Sequence, residues 1–273
     1  MLKLLIVFTL YFFAITKATP RGISSYDRHR NHNIGNIEEK KNLTINEASH
    51  HVSIQIHGVH YCSGAIISYR WIVTSAQCIV NFRSCYPLIT IRAGSENRYS
   101  NGSVHAVDNY IVHPEFKCNG CKIPVNDIGL ISIKDTFTFD NTRQFIKLHN
   151  NNHHNAVENQ KVNVSGWDDN FEKIELSAHL KMKSWSTITT TQCKNYYFFV
   201  DEAINNMICA VSDDEKNPCV VGDLGNPMVV NGRLVGVKSF RMGCYSFPGS
   251  PTLYTSINSY KDWIKSNTGI DID

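Results

Sequence analysis

From Val52 onward the chain breaks into short runs of β-branched and aromatic residues separated by turn formers. Val52-Ser53-Ile54-Gln55-Ile56 alternates apolar and polar residues with period two, the pattern of a strand with one buried face. Ala65-Ile66-Ile67, Trp71-Ile72-Val73-Thr74, Leu88-Ile89-Thr90-Ile91, residues 128–133, Lys161-Val162-Asn163-Val164 and Leu234-Val235-Gly236-Val237 read as further strands. Asn231-Gly232 separates Met228-Val229-Val230 from Arg233-Leu234-Val235, which predicts a two-residue hairpin turn. A helical period appears only near the C-terminus, where Ile257, Tyr260 and Ile264 recur with Trp263 beside them and Gly269 stops the pattern. Many short strands and one terminal helix predict an all-β sandwich or a pair of barrels. The run Asn150-Asn151-Asn152-His153-His154-Asn155 predicts a surface loop.

The first residues follow a different rule. Lys3 supplies a positive start, residues 4–15 are mostly apolar and Ala18 is small, which predicts a secretory signal peptide over 1–18. About twelve apolar residues fall short of the roughly 20 that span a bilayer, so no membrane span is expected. Residues 19–36 are polar, include Arg28-His29-Arg30-Asn31-His32-Asn33, and predict a flexible leader. A secreted, extracellular chain is the expectation. The formal charge of +3 gives no reason to expect a nucleic-acid or other polyanion partner.

Secretion changes the meaning of the nine cysteines, which read as disulfides with at least one left over. Cys118-Asn119-Gly120-Cys121 reads the same way rather than as a redox or zinc element. Sequons at Asn42, Asn101 and Asn163 are candidate glycosylation sites, the last within a strand-like run. His50-His51 and the histidines of the leader read as solvated side chains rather than metal ligands, so neither a metal nor a cofactor is expected.

Four local patterns carry more than strand periodicity. Tyr61-Cys62-Ser63-Gly64 leads to Trp71-Ile72-Val73-Thr74-Ser75-Ala76-Gln77-Cys78; Asn126-Asp127-Ile128-Gly129-Leu130-Ile131, Val164-Ser165-Gly166-Trp167 and Gly222-Asp223-Leu224-Gly225-Asn226-Pro227 follow. In this order, from about Ile37 to Ile270, they resemble the chymotrypsin/trypsin (S1) family of serine proteases. The resemblance implies two antiparallel six-stranded β-barrels with a C-terminal α-helix, in a protease-like domain over 37–273.

An active member of that family places a His just before the second cysteine, an Asp before the Ile-Ala-Leu run and a Ser after Gly-Asp. A serine hydroxyl is a weak nucleophile, so the His takes its proton and the Asp holds the His in the required tautomer. Here those positions are Gln77, Asp127 and Leu224. A carboxamide is not a base near neutral pH, and a leucine side chain has no nucleophilic atom. Ser75 lies on the wrong side of the pattern, and His57 and His60 lie in the preceding hairpin region, so neither replaces the missing pair. Losing Ser or His alone from a well-studied triad costs about 10⁶ in turnover. The resemblance therefore implies a catalytically degenerate homologue with no catalytic residues. Asp127 takes a structural role, with the Gln77 amide as a candidate donor, and Leu224 plugs the centre.

Other parts of the family's machinery differ too. Cleavage before an Ile-Val-Gly-Gly terminus activates family members, and the freed ammonium pairs with the Asp beside the Ser; here Asn36 precedes Ile37, Glu38-Glu39-Lys40 follow, and Asp223 is retained. Two glycines that line the family's substrate pocket correspond to Arg241 and Thr252, whose side chains are expected to occlude it. Asn217 and Pro218 stand before Cys219 where a carboxylate would receive a basic side chain, and one extra residue separates Cys219 from Gly222-Asp223. The resemblance pairs Cys62 with Cys78, Cys193 with Cys209 and Cys219 with Cys244. Cys85 then pairs with Cys118 or Cys121, and the remaining thiol is free or joined to another chain. Tyr196-Tyr197-Phe198-Phe199 is either an exposed partner patch or core.

The reading is a secreted, non-catalytic protease homologue that binds an extracellular protein: a protease, an inhibitor or a cascade component. The leader has no cysteine and so no clip-type domain, which weighs against an immune cofactor role. The alternatives are an active endopeptidase with an unorthodox centre and a structural or carrier protein of a secretion.

Overall fold

A computed structural model describes residues 43–81, 84, 88–118, 123–150, 157–167, 178–197, 201–213, 223–242 and 249–272, all within one compact unit. The expected signal peptide, leader, Asn36-Ile37 bond and Asn42 lie outside them.

Six strands close the first barrel: β1 (His51–Ile56), β2 (Val59–Ile66), β3 (Trp71–Thr74), β4 (Ile89–Ala93), β5 (Ser103–Val112) and β6 (Gly129–Ile133). Their order around the barrel is β1-β2-β3-β6-β5-β4. The predicted alternation in β1 sends Val52 and Ile54 inward, where they pack with Ile66, Ile72, Ile91 and Ile133. Burying each such side chain contributes about 1.5–3 kcal/mol.

The second barrel comprises β8 (Lys161–Gly166), β9 (Lys181–Ile188), β10 (Met207–Ser212), β11 (Pro227–Val230), β12 (Arg233–Arg241) and β13 (Thr252–Ser256). Its order is β11-β8-β9-β10-β13-β12, and a β11–β12 pairing closes it. The short β7 (Lys147–Leu148) runs parallel beside the start of β12. The predicted hairpin joins β11 to β12, with Asn231 at φ 48 and Gly232 at φ 71, the left-handed pair that this turn needs. Val162, Val164, Trp185, Ile208, Met228, Val235 and Tyr254 fill the barrel.

A third apolar cluster joins the two barrels. Ala65, Val73 and Leu130 from the first barrel meet Leu234 and Val237 of β12, with Ile257, Tyr260 and Ile264 from the C-terminal segment packed on them. The fold is thus the pair of six-stranded antiparallel barrels that the resemblance implied. The terminal helix is α4 (Lys261–Thr268); it begins later than the Ile257 period suggested, because a 3-10 turn over Asn258–Tyr260 precedes it. Among the described residues, the shorter helices α1 (Ala76–Val80), α2 (Thr190–Tyr196) and α3 (Asp201–Ile204) lie between strands.

Disulfides Cys62–Cys78 and Cys193–Cys209 are formed as expected. The Cys118 thiol is free and exposed, the alternative in which Cys118 is the cysteine left over from the extra bridge. Cys85, Cys121, Cys219 and Cys244 lie outside the described residues. One expectation is corrected: His50 and His51 are buried rather than solvated, His51 as the first residue of β1 and His50 just before it. His51 Nδ1 lies 2.7 Å from Ser165 Oγ, and its ring meets the Trp167 indole edge-on. Tyr196 is exposed and Tyr197 is fully buried, while Phe198 and Phe199 are not among the described residues. Asn101 sits at an exposed turn with φ 62, and Asn163 is on the outer face of β8. Among the described residues no helix is long and apolar enough to cross a membrane, and no group of three His, Cys, Asp or Glu is placed to hold a metal ion.

Candidate functional site

Ser75 caps α1, and the next residue but one, Gln77, falls in the first turn of that helix, where backbone N–H groups have no intrahelical acceptor. Asp127 supplies the acceptor: the Gln77 amide N–H donates to Asp127 Oδ1 at 3.0 Å. The Gln77 side chain bonds to the same carboxylate, with Nε2 donating to Asp127 Oδ2 at 2.6 Å and to the Ser239 carbonyl at 3.0 Å. The Ser239 hydroxyl adds a third donor to Asp127, at 2.6 Å from Oδ2.

Asp127 is held from behind as well. Asn126 adopts φ 52, accepts from the Tyr260 hydroxyl at 2.8 Å, and donates to the Glu115 carbonyl at 3.0 Å. Thr255 Oγ1 donates to the Asp127 carbonyl at 2.8 Å. The carboxyl group is fully buried, and that burial pushes its pKa up to about 6 against the downward pull of the Ser239 and Gln77 hydrogen bonds. The far end of Gln77 meets a thiol: Cys118 Sγ is 3.8 Å from Gln77 Oε1. Burial first, and the Asp127 charge second, raise the Cys118 pKa.

Leu224 stands between the barrels. Its carbonyl accepts from the Ser63 N–H at 2.9 Å, and its side chain packs half-buried on the cluster containing Cys62, Cys78 and Ile79. Gly225 bonds to the Lys238 carbonyl at 2.8 Å, so residues 224 and 225 bridge β2 to β12. Only glycine fits there: with φ 78, an added Cβ would lie 2.1 Å from the Ser63 carbonyl oxygen. Asp223 faces His60, whose Nε2 is 3.1 Å from Asp223 Oδ2, while Ser53 Oγ lies 2.8 Å from His60 Nδ1. The Trp167 ring packs against His60 at 5.1 Å.

This arrangement has relatives. A family model for trypsin matches residues 37–264. The chain belongs to the trypsin family. Trypsin delta of Drosophila melanogaster is 31% identical over 235 residues, covering 85% of this chain and 88% of that relative. The trypsin of Phaedon cochleariae is 29% identical over 221 residues, covering 80% and 83%. Among solved structures, a collagenase (HL collagenase) superposes with TM-score 0.71 at 26% identity, over 84% of this chain and 97% of its own. A scabies mite inactivated protease paralogue superposes with TM-score 0.70 at 22% identity, over 86% and 98%, a likeness of fold.

On this trypsin-family scaffold, Gln77 and Asp127 are in direct contact, and Leu224 packs against the cluster that includes the Cys62–Cys78 bridge beside Gln77. Arg241 and Thr252 face one another as partners across β12 and β13. Ser239, His60 and Cys118 belong to the site and were not legible beforehand. Ser239 follows a strand-like run with no motif of its own, and the contact between His60 and Asp223 spans residues far apart in sequence.

Proposed function

We propose that this chain is a secreted, non-catalytic member of the trypsin family that works by binding an extracellular protein. The observation that carries the reading is the 2.6 Å bond from Gln77 Nε2 to Asp127: the carboxylate that would orient an imidazole instead holds a carboxamide. Both oxygens of Asp127 are committed to Gln77 and Ser239, so no vacancy for a displaced histidine remains beside them. At position 224 an aliphatic side chain replaces any attacking oxygen. The Ser239 hydroxyl donates to Asp127, with no hydrogen bond to an imidazole among the described residues, and the Cys118 thiol is biased toward its protonated, poorly nucleophilic form. Asp223 Oδ2 lies 3.1 Å from His60 Nε2, a neighbour within the chain that pairs with it when the imidazole is protonated.

The test is turnover by two purified forms, the secreted chain and one beginning at Ile37, so that incomplete processing cannot mimic inactivity. Neither form is expected to cleave casein or chromogenic peptides ending in Lys, Arg, Phe or Leu. Cleavage abolished by Ser239→Ala or Cys118→Ala would establish an unorthodox centre and overturn the proposal.

A further inference from the structure

The loop from β4 to β5 holds one of the sequons, Asn101-Gly102-Ser103, in a fixed shape. The Ser100 carbonyl accepts from the Ser95 hydroxyl at 2.7 Å, and the Asn97 side-chain oxygen accepts from the Tyr99 N–H at 2.9 Å. The Asn101 carbonyl accepts from Arg92 Nη1 at 2.6 Å, which ties the turn back to β4. Asn101 and Gly102 both adopt left-handed conformations, at φ 62 and φ 66. A Cβ on Gly102 would lie 2.2 Å from the Ala93 carbonyl oxygen, so the turn tolerates only glycine there. Asn101 is exposed at this turn.

Two residues ahead of Asn101 stands an aromatic side chain that the fold leaves in solvent: Tyr99 is 47% exposed. The Arg98 guanidinium lies 5.0 Å from its ring centroid on one side, a cation–π contact that steadies the ring while much of it stays open. The sequon at Asn163 has no such neighbour. There Lys161 stands two residues ahead, and the cross-strand partners are Ser184 of β9 and Val229 of β11. A pyranose ring presents C–H groups on its faces and hydroxyls at its edge, so it can cover an aromatic face and keep its polar groups in water.

We propose that Asn101 carries an N-linked glycan whose first N-acetylglucosamine packs on the open side of the Tyr99 ring. The inference rests on the secretion proposed above, because the donor, a lipid-pyrophosphate-linked oligosaccharide, belongs to the secretory route. In the transfer, the Asn101 amide nitrogen loses a proton and bonds to the anomeric carbon. The bond from that carbon to the pyrophosphate oxygen breaks, and the lipid pyrophosphate leaves. The rigid turn then holds the sugar and Tyr99 at a fixed offset, so little freedom is lost when they meet.

The test is a four-protein cycle in cells that make only high-mannose glycans. The full chain is preceded by a known secretory signal and carries Asn42→Gln and Asn163→Gln, which leave Asn101 as its sole sequon. Trimming with endoglycosidase H leaves one N-acetylglucosamine, read in the intact mass. Asn101→Asp supplies the sugar-free form, since Asp tolerates the left-handed conformation, and each form is compared with and without Tyr99→Ser. The sugar is expected to raise the melting temperature by about 2–4 °C when Tyr99 is present and by less than about 1 °C in Tyr99→Ser. An intact mass without the sugar, or an equal shift in both backgrounds, would overturn the proposal. The added signal makes these outcomes independent of the chain's own leader. Failure of the chain to reach the medium with that leader alone would strike only the secretion reading.

Discussion

Replacing Asp127 by Asn probes the centre of the site through its electrostatics. The wild-type carboxyl is fully buried, and its pKa is raised from 3.8 to about 6, chiefly by burial. A raised carboxyl pKa means that the folded state holds a proton the unfolded chain has released. Asp127 therefore lowers stability progressively as pH rises from about 4 through about 6, and the full penalty persists above that. A shift of about two units corresponds to about 3 kcal/mol. Asn carries no charge and so has no such penalty, but it supplies one acceptor oxygen where the carboxylate supplies two. One of the donors from the Gln77 backbone, Gln77 Nε2 and Ser239 Oγ must turn away or go unpaired, at about 1–3 kcal/mol independent of pH. Urea unfolding of both proteins at pH 4 and pH 7.5 separates the two effects, because every other titrating group is common to them. Asp127→Asn is expected to be the less stable protein at pH 4 and to gain about 3 kcal/mol relative to wild type by pH 7.5. A gap that stays constant, or that widens with pH, would refute the claim that burial outweighs the hydrogen bonds to this carboxylate.

Two further outcomes follow from the same geometry. Burial lowers the pKa of His50 from 6.5 to about 4, so this residue withdraws about 3 kcal/mol of stability as pH falls from 6.5 through 4; His50→Leu should lose that much less on acidification, and an unchanged acid response in thermal melts would contradict it. Gly225→Ala should lower the urea midpoint by an amount equivalent to about 3 kcal/mol or more, because its Cβ would sit 2.1 Å from the Ser63 carbonyl at φ 78; a midpoint equal to wild type would show that the bridge from β2 to β12 yields easily.

Strands with one clean apolar face were legible in the sequence. The alternation in β1 and the Asn231-Gly232 hairpin both appear where the pattern put them. β5 was not legible, because most of its residues are exposed or half-exposed and only His105 and Val107 are buried, so no apolar period marks it. β9 hides behind Lys181-Met182-Lys183-Ser184, where pairing with β8 and β10 decides the conformation more than side-chain burial does. Leu88 was read into β4, but it lies 43% exposed just before the strand starts. At the site, the positions of Gln77, Asp127 and Leu224 followed from their flanking motifs. Their environment did not: the Ser239 hydroxyl on Asp127, His60 against Asp223 and Cys118 at the rim all depend on contacts between distant segments. His50 and His51 were misjudged because polar neighbours in sequence say nothing of a barrel wall closing over them.

The central claim is that no activated nucleophile stands at this centre, and covalent capture tests it most directly. A fluorophosphonate probe reacts with an activated serine and adds one phosphonyl group, visible in the intact mass. The purified chain and the form beginning at Ile37 should both keep their unmodified mass under conditions that fully label an active trypsin. One stoichiometric adduct, mapped to a residue beside Gln77 and Asp127, would contradict the account.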